Sequence, residues 1–135
     1  MMMLSSFDDL LRAARAQPER QRLLLVFASI GLSDEAPPER RAAFEAGQGG
    51  ELTPVMCVDK SPDEVEAFAS LAATADSTGQ DWGVVFVTAM SGQGGADPDA
   101  AEVETALRRM IDAIGNGHPG PWVPFDRNGR PLRLA

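Results

Sequence analysis

The loop SGQGGADPD, residues 91–99, holds the residue types best suited to gripping a ligand. It follows the apolar run WGVVFVTAM and precedes a helical pattern, which sets it beyond a strand's carboxyl end. Open α/β sheets bind ligands at that place. Ser91, Gly92, Gly94, Gly95 and Asp97 are the candidate ligand-binding residues. Glycine lets the backbone approach a ligand closely, and the start of a helix favours an anion. A phosphate loop is not spelled out, however. Asp97 stands where G-x-G-x-x-G needs its third glycine, and no Lys-Ser/Thr pair follows. The alternative is a surface loop ending in an acidic helix cap.

Other reactive side chains are few and scattered. Asp97, Asp99 and Glu102 offer oxygen to a hard cation, but the calcium-loop spacing is missing. Acids in a helix's first turn are already explained by the macrodipole, so no metal site is expected. Cys57 is the single cysteine and lies in the apolar run VMCV, which reads as a small buried hydrophobe. His118, in GNGHPGP, is the single histidine and the only imidazole base for a Cys–His pair. Neither residue stands in a motif. Asp59-Lys60-Ser61 could line a pocket; the simpler account makes Ser61 a helix cap and leaves Lys60 solvated. There is no C-x-x-C, no G-x-S-x-G and no tyrosine. The expectation is no catalytic residue and no cofactor.

The elements that must position these residues follow from periodicity. Ser6 caps a first helix whose apolar face is Phe7, Leu10, Leu11 and Ala14, and Pro18 stops it. RLLLVFASI, residues 22–30, is a continuous apolar run of strand length, as in a sheet covered on both faces. Pro37 and Pro38 open a second helix through Phe44. Val55 to Asp59 form the next strand, with Pro54 at its start, at an edge or at a bulge. Ser61, Pro62 and Glu64 begin a third helix lined by Val65, Phe68, Leu71, Ala72 and Ala75. Residues 82–90 give a third strand. Asp97 and Pro98 begin a fourth helix lined by Val103, Leu107, Met110, Ile111 and Ile114, ending at Gly115 to Gly117. Asn128-Gly129 predicts a terminal hairpin. Strands alternating with helices predict an α/β fold. Its form is a two- or three-layer sandwich with a mixed, mostly parallel sheet of 4–5 strands, four helices and a C-terminal β-hairpin. At 135 residues the chain reads as a single domain, residues 1–135. GQGG recurs at Gly47–Gly50 and Gly92–Gly95 in opposite contexts, so it is not a structural repeat.

Composition narrows the class of partner. The hydrophobic fraction is 44% and the charged fraction 24%, ordinary for a globular protein. The net charge of −8 is uneven: residues 51–104 carry eleven acids against Lys60 alone, while residues 105–135 carry five arginines and two acids. An acidic centre repels phosphate backbones, so nucleic acid is not expected. The tail arginines Arg127, Arg130 and Arg133 are candidate interaction residues for an acidic partner, a second copy included. The plainer account is solvated faces that keep the protein soluble. No apolar run approaches the roughly 20 residues that span a bilayer, and the N-terminus lacks a signal-peptide pattern. A cytoplasmic location is expected. Arginine supplies eleven of the twelve basic residues, and Ala and Gly are abundant, pointing to a bacterial genome of high GC content.

The stretches SSFDDLLRAARAQPE, RLLLVFA, FEAGQGGELTPVMCVDKSPDE and VPFDRNGRP carry a resemblance over nearly the full length. The chain resembles a small proteobacterial family labelled ribonucleotide reductase subunit alpha. The resemblance implies at most an accessory role beside that enzyme. Its catalytic subunit is several times longer and works through a thiyl-radical cysteine and a reducing cysteine pair. With one cysteine in all, this chain offers no position for those residues. Three functions therefore stand: a non-catalytic binding domain with a homodimer or an unknown protein as partner, a small-molecule binder or enzyme using the 91–99 loop, and the accessory role.

Overall fold

A computed structural model describes residues 6–31, 38–39, 42, 51–117 and 120–132. The order along the chain is α1 (Phe7–Arg15), β1 (Gln21–Gly31), β2 (Glu51–Lys60), a 3-10 turn (Pro62–Glu64), α2 (Phe68–Ser77), β3 (Val84–Ser91), α3 (Ala100–Gly115) and β4 (Val123–Phe125). The strands form one sheet in the order β2-β1-β3-β4.

Every neighbouring pair in the sheet is antiparallel, which overturns the expectation of a mostly parallel sheet. The reason lies in the connections. The β2–α2–β3 crossover steps over β1, so β2 and β3 run the same way without touching. β1 fills the gap between them and opposes both. The apolar β1 run is indeed covered on both faces. Burial of that kind is typical of parallel sheets but does not require one.

Period two sorts the two cores. Leu23, Leu25 and Phe27 meet α1 and α2 through Phe7, Leu11, Phe68 and Leu71. Leu24, Val26 and Ala28 face Val103, Leu107, Met110 and Ile114 of α3. Phe7 anchors the first core, with its ring edge-on to Phe68 at 5.3 Å and to Phe125 at 5.6 Å. Full burial of each such side chain stabilises the fold by roughly 1.5–3 kcal/mol.

Several local expectations change. The third-helix start at Ser61 and Pro62 is spent on the 3-10 turn, the chain is extended at Val65, and α2 begins only at Phe68. The first N–H of α2 is satisfied from another helix: Phe68 N donates to Asp8 Oδ1 at 2.9 Å. Three of the four expected α-helices lie wholly among the described residues. Most of the expected helix from Pro37 to Phe44 lies outside those residues; Pro38, Glu39 and Ala42 within it are helical. The α3 N-cap is Asp99, two residues beyond the expected start.

Pro54 sits inside β2, beside a register shift opposite Phe27 and Ala28. The Ala28 carbonyl turns away from β2 and accepts from Gly83 N at 2.9 Å. Pro54, across from Ala28, therefore stands in a pair without ladder bonds, with its nitrogen turned to the outer edge. A proline at that position costs no ladder bond and removes one donor from the sheet's edge.

The C-terminal turn also differs in detail from a two-residue hairpin. Gly129 alone has positive φ, at 78°, and Asn128 does not. Gly129 N donates to Asp126 O at 3.1 Å, and Asp126 N to Arg130 O at 2.9 Å. The Asp126 carboxylate accepts from Asn128 N and Arg130 N. This is the longer connection, with a glycine in the left-handed region closing the turn. Beyond it Phe125 and Pro131 form a single antiparallel bridge.

Candidate functional site

The carboxyl ends of β2 and β3 and the amino end of β1 meet at one edge of the sheet. Between them lies a solvent-open cleft of about 460 Å³. Residues 14–15 and 17–22 form one wall, Ser61 to Glu64 another, and Asp97 reaches in from the β3–α3 loop. Ser61 and Asp97, both singled out in the sequence, thus share a cleft although they are far apart in the chain.

Charge dominates this cleft, and most of it is held by ion pairs or backbone hydrogen bonds within the chain. Arg22 Nε donates to Asp59 Oδ2 at 2.7 Å across the β1–β2 ladder, and its Nη1 lies 3.3 Å from Glu64 Oε1. The hydrogen bond to Asp59 makes this guanidinium hold its proton more tightly than usual. Ser61 N donates to Glu64 Oε1 at 3.0 Å, the return half of a capping box. That backbone bond holds the Glu64 carboxyl below the ordinary glutamate range, with Arg22 adding a smaller pull. Arg15 reaches over from α1 and donates to the carbonyls of Pro62, at 3.2–3.3 Å, and Val65. The guanidinium so closes the 3-10 turn that its own sequence opened.

The glycine loop is folded onto β1 rather than left as an open cradle. Gly92 N donates to Arg20 O at 2.8 Å, and Gln21 Nε2 to Ser91 Oγ at 2.8 Å. Arg20 lies 3.6 Å from the Asp97 carboxylate, and Gly95 N lies 3.4 Å from Glu19 Oε2. Gly94 and Gly95 have φ of 59° and 81°. A side chain at Gly92 would put its Cβ 1.8 Å from the Ala96 carbonyl oxygen. Gly92 is thus required by the loop's own closure, and only Asp97 of the five loop candidates lines the cleft.

The remaining candidates are dispersed. Cys57 is exposed, against the expectation of burial. It lies opposite Val26 on the α3 side of the sheet, but on the edge strand, where α3 leaves it uncovered. His118 and Arg133 lie outside the described residues. Asp99 accepts from Ala101 N as a helix cap, and Glu102 is in the same helix's first turn. Among the described residues no group of three or more His, Cys, Asp or Glu is placed to hold a metal ion.

Arg127 is tied within its own chain. Its Nη2 bonds both Asp76 carboxylate oxygens at 2.9 Å, Nη1 donates to Trp82 O at 3.0 Å, and the guanidinium lies 4.5 Å over the Trp82 ring. Asp76 also accepts from Trp82 Nε1 at 3.0 Å. Arg130 is exposed.

The cleft's arginines were not read from the sequence as site residues. One signal was available: Arg22 and Asp59 are opposite charges at the ends of two apolar strands that meet there. No helix among the described residues is long and apolar enough to cross a membrane. No family model, no curated protein and no solved structure matches this chain.

Proposed function

We propose that this chain is a non-catalytic binding domain of the bacterial cytoplasm, acting by contact rather than turnover. One observation carries the reading: most charges of this polar cleft are engaged within the chain itself. Arg22 is shared between Asp59 and Glu64, and Arg15 is taken by two carbonyls. A general acid or base needs a group free to move a proton at the operating pH. Holding Glu64 below the ordinary range opposes that role. The exposed thiol of Cys57 lies on an edge strand and does not line the cleft.

A second reading has one observation in its favour. Asp97 joins the glycine loop to a cleft of small-molecule size at the carboxyl ends of two strands. A thermal-shift screen over nucleotides, metabolites and divalent ions separates the two, because a ligand of the native state raises the melting point. The binding-domain reading expects no shift across the panel. Specific stabilisation that is lost in Gly94→Ala or Asp97→Asn would replace it with the second.

A further inference from the structure

A different face of the molecule bears on what the domain could bind. Of the five charged side chains along α3, two pair with each other and three, Glu102, Arg109 and Asp112, have no ion pair among the described residues. Glu104 and Arg108 pair with each other at 2.7 Å, one turn apart. Glu102 and Arg109 have no ion pair or hydrogen bond among the described residues. They flank a shallow groove of about 370 Å³ whose floor is Met90, Ala101, Thr105 and Ala106. The Thr105 hydroxyl is already spent, donating to Ala101 O at 3.0 Å. What remains at the centre is a small, apolar surface with a lone acid at one end and a lone base at the other.

The spacing makes this surface self-complementary. Arg109 stands seven positions after Glu102, so they lie on one stripe about 10.5 Å apart. Turning a second helix antiparallel, about an axis between Thr105 and Ala106, brings position 102 against position 109 twice. Small side chains at the crossing let two helices approach closely. A two-fold contact uses the same patch on both copies, which this pattern supplies.

We propose that two copies of this chain associate through this face. Their α3 helices run antiparallel, Glu102 of each pairs with Arg109 of the partner subunit, and Thr105 and Ala106 meet at the axis. The contact is one helix stripe plus Met90, small against the area of a permanent interface, so the dimer is weak and reversible. It rests on the reading of the chain as a binding domain and names its partner.

Sedimentation equilibrium of the full chain, up to about 1 mM, tests it. The wild type is expected to show a monomer–dimer equilibrium that weakens with added salt. Glu102→Arg alone and Arg109→Glu alone each set like charges opposed at two symmetric places. Each should raise the dissociation constant about tenfold or more. The double variant E102R/R109E restores opposite charges and should recover the wild-type constant. Circular dichroism on each variant checks that the fold is kept; both side chains are exposed, so folding is not at risk. A monomer at every concentration overturns the proposal, as does a dimer indifferent to the single reversals or a double variant without recovery. These failures are distinct from failure of the binding-domain reading, which a specific metabolite shift would produce whatever the sedimentation shows.

Discussion

Gly129 answers to two constraints at once. Its φ of 78° lies in the left-handed region, and a Cβ there would stand 2.8 Å from the Phe68 ring. Its carbonyl also accepts from Phe7 N at 2.7 Å, capping the start of α1. Gly129→Ala should therefore cost about 2–4 kcal/mol, from backbone strain and overpacking together. Urea denaturation reads this directly, and a loss below about 0.5 kcal/mol would contradict the packing described. Arg127 is held by a forked carboxylate pair, a carbonyl and an aromatic face. The pair is about half exposed, so its electrostatic worth is discounted. Arg127→Ala should cost about 1–2 kcal/mol, with most of that loss persisting in Arg127→Lys, which cannot fork. The sign of the Glu64 shift gives a pH test. A carboxyl held low in the folded state stabilises at pH above its unfolded value, and that contribution fades as pH falls through the folded one. The urea midpoint of Glu64→Gln should thus fall less steeply below about pH 4.3 than that of the wild type.

At the scale of elements, apolar periodicity exposed most of the framework, and tertiary partners decided the rest. The apolar runs of β1 and β3 and the stripes of α1 and α3 could be read because burial itself sets their period. Strand direction could not: the same alternation of strands and helices suits a crossover to the neighbouring strand or one that skips it. The Ser61-Pro62-Glu64 signal is genuine chemistry, but Arg15 of α1 ends the turn it starts, and Asp8 of α1 supplies the true cap of α2. Neither partner is local in sequence. Asp8→Ala should therefore loosen α2 rather than α1. About 1 kcal/mol of stability and faster amide exchange at Phe68 are expected, and unchanged exchange there would contradict this cap. The glycine loop was recognisable as a candidate, yet its closure at Gly92 and its ties to residues 19–21 depend on contacts that no local pattern reveals. Gly92→Ala should open the loop, with amide exchange accelerated over residues 92–97 while the helix stripe of α3 stays protected.

On the scale of the whole molecule, the uneven charge seen along the chain is partly cancelled by folding. Asp59 and Glu64 from the acidic centre meet Arg22 from the first segment, and Asp76 meets Arg127 from the tail. Arg127, one of the tail arginines expected as interaction residues, clasps the C-terminal turn to the end of α2. Pro54 takes a donor from the outer edge of β2, which opposes strand-to-strand assembly there. The proposed self-contact uses the α3 face, where Glu102 and Arg109 have no ion pair among the described residues. The central claim, that the charges of the polar cleft serve the fold and not a ligand, is tested most directly by amide NMR. A labelled sample is titrated with pooled nucleotides, phosphorylated sugars and carboxylic acids, each near 1 mM. The account predicts that the amides of residues 17, 19–22, 61, 63–64 and 91–97 stay in place; saturable shifts clustered in those segments would contradict it.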